Sequence, residues 1–183
     1  MPLATASVVA RHPLACVLVG SALAVAATFS STSAHAKPKL GLDGEVAVPL
    51  TPNRVSTGGG GALRFGYELD AVLLTITPEV AAGYYSLGGD LAPKMWDAVV
   101  GGRLAVGALV RAVLFGHFGY GHVKNNNAPS RSAAAVDGGL ALDLTVLPII
   151  DIGVHAQYHL ITGNSDGPAN GWLGLGLHIQ IAF

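Results

Sequence analysis

Cysteine is nearly absent from this chain: the single one, Cys16, falls in the first 36 residues. Residues 37–183 therefore hold no disulfide and offer no thiol chemistry. Charge is scarce as well, at 11% of residues with a net charge of −1. No basic patch is available to neutralise phosphates, which argues against nucleic acid as a partner. Long apolar runs are missing too: after residue 36 no stretch of eighteen apolar residues occurs, so no helix is expected to span a bilayer. Yet 51% of the chain is hydrophobic. Alternating strands reconcile these facts, because a β-barrel raises mean hydropathy without any long oily segment.

The N-terminus is the exception. Arg11 and His12 supply a basic region, Leu14 to Phe29 an apolar one, and Ala34-His35-Ala36 a small-residue cleavage site. This pattern predicts a secretory signal peptide over residues 1–36, cut near Ala36, and a mature domain over 37–183. Pro13-Leu14-Ala15 before Cys16 makes a poor lipoprotein box, so no lipid anchor is expected.

From residue 40 onward, eight segments alternate apolar with polar or small residues, the two-residue period of strands. The last is the clearest: Leu173, Leu175, Leu177, Ile179, Ile181 and Phe183 share one parity, while Gly174, Gly176, His178, Gln180 and Ala182 share the other. Turn-rich stretches separate the segments. Long ones are expected at residues 51–61, 86–95, 124–132 and 163–171, and short ones near Ala71, Leu109 and Pro148. Long and short connections in alternation are the layout of an up-and-down barrel. Pro78 interrupts the third segment, and a bulge is expected there.

The oily faces point to lipid. They carry no Asp, Glu, Lys or Arg, and every lysine after residue 36 lies at the N-terminus or by a loop. The opposite faces are rich in Gly and Ala, which suit a narrow lumen. A closed barrel is the one strand arrangement that lipid tolerates, since an open edge leaves backbone groups unpaired. Tyr84, Trp96, Tyr120 and Trp172 are placed in an aromatic belt beside the long loops, and Tyr67 and Phe183 toward the other rim.

Charges inside the cylinder must pair. Closing the second long loop between Tyr85 and Asp97 sets Glu79 opposite Arg103. Setting Gly121 opposite Ala133 brings Arg111 beside Asp143 and His117 beside Asp137, and Glu45 falls within reach of Arg64. The preferred reading is a structural plug of ion pairs, the alternative a narrow conduit for small solutes or ions. His155, His159 and His178 converge on neighbouring strands with Gln157 between, a set able to ligate zinc or copper. Hydrogen bonding in the lumen beside Asp151 is the simpler expectation, so neither metal nor cofactor is expected. Ten-residue loops rich in Gly, Asn, Ser and Pro, without hydrophobic anchors, are poor material for an adhesin.

The alternation, the loop order and the terminal Phe183 resemble the small Gram-negative outer-membrane barrels of the OmpA-transmembrane and OmpX type. The resemblance covers nearly all of residues 38–183. It implies an eight-stranded antiparallel transmembrane β-barrel in the outer membrane, with both termini in the periplasm. Its partners would be outer-membrane lipid and lipopolysaccharide. The β-barrel assembly machinery would recognise the last strand through Leu177, Ile179, Ile181 and Phe183. Eight-stranded lipid A deacylases share the architecture, but they need a His-x-Ser pair on the lipid face. Here Ile161 stands two residues after His159, His159 points inward, and Ser165 lies six positions on. No catalytic residue is assigned; the role implied is structural or one of surface maintenance.

Overall fold

The computed structural model describes residues 36–50, 54–71, 74–126, 129–163 and 169–183. The expected signal peptide, but for Ala36, lies outside the described residues, as does Ser165. The eight strands, in chain order, are β1 (Ala36–Pro49), β2 (Ser56–Ala71), β3 (Leu74–Gly88), β4 (Lys94–Gly107), β5 (Val110–Lys124), β6 (Arg131–Leu147), β7 (Ile150–Ile161) and β8 (Asn170–Ala182). Each pairs antiparallel with the next, and β8 closes on β1. This is the expected all-β, up-and-down, eight-stranded barrel.

Closure turns the alternation of the sequence into an inside and an outside. In β1 and β7 burial alternates almost without a break. Leu42, Phe65, Val80, Leu114, Leu140 and Leu177 are exposed on the outer wall, while Asp43, Arg64, Glu79, Arg103, Asp143 and His178 are buried within. Val113 and Phe115, apolar residues of inward parity, fill one side of the lumen with Ala105 and Ala141. The guanidinium of Arg103 lies 5.0 Å from the Phe115 ring centroid, a cation–π contact.

The strands run further than the turn-rich composition suggested. Residues 51–61 were expected to form a loop, but Gly58 to Gly61 belong to β2 and pair with residues 44–47 of β1. Their lack of side chains serves the lumen: a Cβ on Gly60 would overlap the Tyr85 ring. A glycine run that reads locally as a breaker is here the floor beneath an aromatic side chain. The expected bulge at Pro78 is also absent. The β3–β4 register passes through Pro78 and Gly102 unshifted, and on the β2 side pairing lapses between Gly66–Glu79 and Leu69–Ile76 without changing register. The missing N–H thus opens the ladder locally but adds no residue. Register shifts occur instead between Ser56 and Gly59 and between Thr145 and Leu147, both beside strand ends.

Candidate functional site in the barrel lumen

At the long-loop end the lumen is closed by apolar and aromatic side chains, chiefly Tyr85, Met95, Val123, Ile161 and Trp172. Trp172 corrects the expected belt. It has the inward parity of His178 and is fully buried, its ring centroid 5.1 Å from that of Tyr85. The other belt residues, Tyr84, Trp96, Tyr120, Tyr67 and Phe183, are exposed on the outer wall. Tyr84 pairs with Trp96 across β3 and β4, and the Trp96 ring packs against Tyr120 and His122.

Below the aromatic layer the lumen is ionic. Arg64 grips Asp43 with two hydrogen bonds, Nε to Oδ2 at 2.6 Å and Nη2 to Oδ1 at 2.5 Å, the fork geometry that makes arginine–carboxylate pairs strong. Arg64 also lies 3.5 Å from Glu79. His117 bridges Asp137 through Nδ1 at 2.6 Å and Glu79 through Nε2 at 2.9 Å. Toward the short-turn rim Lys39 and Arg111 share two acids. Lys39 pairs with Glu68 and with Asp151 at 2.7 Å, and Arg111 pairs with Asp151 and lies 3.6 Å from Glu68.

Several expected pairs are replaced. Glu79 sits opposite Gly101, and Arg103 opposite Thr77, because β3 and β4 pair two residues out of the expected register. Arg103 approaches Asp143 instead, at 3.8 Å. The register that sets Gly121 opposite Ala133 is the observed one, and it makes Arg111 and Asp143 backbone neighbours. Their side chains nevertheless part, Arg111 to Asp151 and Asp143 to His178, whose Nε2 is 2.8 Å away. Glu45 does not meet Arg64, which Asp43 and Glu79 occupy. Its carboxylate accepts from Gln157 Nε2 at 3.0 Å and meets His155 Nε2 at 3.3 Å, while His159 Nε2 lies 3.1 Å from its other oxygen.

The histidines separate accordingly. His155 and His178 meet through their Nδ1 atoms at 3.2 Å. His159 turns to Glu45 and Gln157 and stacks on Trp172. The acids around the pair are Asp143, Glu45 and Asp43 rather than the expected Asp151, and one atom each of Asp43, His155 and His178 lies within 4.8 Å of the others.

One device recurs, and the sequence showed it only as scattered glycines. Glu79, Gly101 and His117 stand in register on β3, β4 and β5. A Cβ on Gly101 would overlap the His117 ring, so the glycine lets the acid and the imidazole meet across the intervening strand. Gly153 does the same between His178 and Asp143, and Gly176 between Glu45 and His155. Acid, glycine and histidine at matched depth on three successive strands could have signalled this, once the register was known.

Negative charge exceeds positive in this interior. Among the described residues seven acids are buried against five lysines and arginines. Buried carboxylates without cationic partners carry a large desolvation penalty, so the lumen favours further cations, whether protonated histidines or bound ions.

An apolar outer wall around a charged, closed interior defines a membrane-spanning β-barrel. No protein-family model matches the sequence, and no curated protein matches it. Solved structures do. Neisserial surface protein A superposes with a TM-score of 0.56 over 81% of this chain and 97% of that one, at 10% identity. The outer-membrane enzyme PagL superposes with a TM-score of 0.54 over 77% of this chain and 98% of that one, at 14% identity. At such identities the likeness is one of fold: the small eight-stranded barrel of bacterial outer membranes.

Proposed function

We propose that this chain is an integral outer-membrane β-barrel with a structural or surface-maintenance role, its lumen plugged by the ion-pair network and without catalytic turnover. Burial carries the reading. Lys39, Arg64, Arg103, Arg111 and the acids they face are each at most 9% exposed, and Tyr85 and Trp172 close the long-loop end above them. A water-filled passage would leave such side chains wet. The exposed Leu177, Ile179 and Ile181 of the last strand, with Phe183 directly after it, present the outward face that the β-barrel assembly machinery would read. Outer-membrane lipid and lipopolysaccharide would cover the wall.

A fold shared with an outer-membrane enzyme does not by itself carry over a catalytic pair. His159 is buried in the lumen, and the residue two positions on is Ile161. Overexpression is therefore expected to leave lipid A masses unchanged. The narrow-conduit reading keeps one supporting observation: Glu68 and Asp151 each contact both Lys39 and Arg111, so partners could exchange. Planar-bilayer recording of the purified protein separates the two readings. A silent bilayer is expected, and stable single-channel openings would overturn the plug.

A further inference from the structure

We propose that the lumen holds a divalent transition-metal ion between His155 on β7 and His178 on β8, with the carboxylate of Asp43 on β1 as third ligand. The Nδ1 atoms of the two imidazoles face each other at 3.2 Å. Each ring's other nitrogen is already bound to an acid, Nε2 of His178 to Asp143 at 2.8 Å and Nε2 of His155 to Glu45 at 3.3 Å. A carboxylate accepts a hydrogen bond and cannot donate one when ionised, so both Nε2 atoms carry hydrogen. Neutral rings in that tautomer then aim two lone pairs at each other. Such a contact is repulsive unless an electrophile sits between them, and the candidates are one proton or one metal ion.

The separation of the two nitrogens fits a metal ion. Two nitrogens bound at ~2.0–2.1 Å to tetrahedral zinc stand about 3.3 Å apart, close to the observed separation. The arrangement of carboxylate, imidazole and vacant nitrogen, made twice over, is the outer-shell pattern that orients metal-binding histidines. Asp43 completes a two-nitrogen, one-oxygen donor set, its atom within 4.8 Å of both histidines. Arg64, bound to both Asp43 oxygens, holds that carboxylate in place while leaving it further lone pairs. The rings are cradled: a Cβ on Gly153 would overlap His178, and one on Gly176 would crowd His155. The excess of buried acids supplies the electrostatic demand for a cation. His159, grouped with these two by sequence spacing, stacks on Trp172 and faces Glu45 and Gln157 instead of joining the cluster of Asp43, His155 and His178.

Zinc is the probe. Because the site is buried, the full chain is folded into detergent micelles in excess zinc, then dialysed against zinc-free buffer and analysed for metal. One zinc per folded chain is expected, falling at least tenfold in His155→Gln and in His178→Gln and staying undiminished in His159→Gln. Heat-modifiable gel migration reports whether each variant has folded. Absence of zinc from the wild-type protein, or its retention in folded His155→Gln and His178→Gln, overturns the site. Equal loss in folded His159→Gln would overturn the choice of ligands. Should the ligand variants not fold, pulsed electron paramagnetic resonance of the wild-type protein folded with copper(II) decides: two coordinated imidazoles support the site, and fewer than two sink it.

Discussion

The indole of Trp172 lies flat on the imidazole of His159, with ring centroids 4.6 Å apart and planes 8° apart. This stack separates the apolar long-loop end of the lumen from the ionic layers beneath it. Trp172 thus lies inside, while the chain's other tryptophan, Trp96, stands in the outer belt.

Those two tryptophans give a direct test of which wall faces lipid. Trp96 is 44% exposed and Trp172 is 0% exposed. In brominated-lipid vesicles, the emission of Trp172→Phe, which reports Trp96, should be strongly quenched. The emission of Trp96→Phe, which reports Trp172, should change little. Equal quenching of both would place Trp172 outside and dismantle the aromatic layer.

Asp43 and Arg64 form a buried bidentate pair. Removing one member leaves an uncompensated buried charge, which costs ~3–5 kcal/mol. Arg64→Met should therefore lower the urea midpoint of the folded barrel substantially. The double variant Asp43→Asn, Arg64→Met should lose less than the sum of its singles, with a coupling of ~0.5–3 kcal/mol. Strict additivity in that cycle would mean the pair is not formed in lipid.

The outer wall should respond to charge according to depth. Leu140 is exposed at the middle of β6, and Val146 is exposed beside its short-turn end. Leu140→Arg should destabilise by ~2–4 kcal/mol and Val146→Arg by ~0–1 kcal/mol. Urea titration of the vesicle-inserted protein, followed by gel mobility, measures both. Equal costs at the two positions would contradict a bilayer lying across β6.

Much of the barrel is legible from residue order because strand geometry is local. Leu42 and Asp43 must face opposite sides of any strand that contains them, whatever that strand pairs with. Eight such segments, with long and short connections in alternation, leave few arrangements other than a closed meander. Local composition misleads where a residue type serves a distant neighbour. Gly58 to Gly61 look like a loop until Tyr85 is known to lie over Gly60, and Pro78 looks like a bulge until the unbroken register with β4 is seen.

Residue order alone settled the strand count and, Trp172 apart, which parity of each strand faces outward, since both follow from a period of two along a single segment. Partner choice within the lumen was decided only by the tertiary structure. Arg111 has Asp143 as its backbone neighbour yet binds Asp151, and His178 reaches across Gly153 to claim Asp143. Long side chains in a narrow cylinder meet over intervening strands wherever a glycine leaves room. Which glycine lies beneath which ring depends on how β8 closes on β1 and on the register of every strand between, and no single segment carries that information.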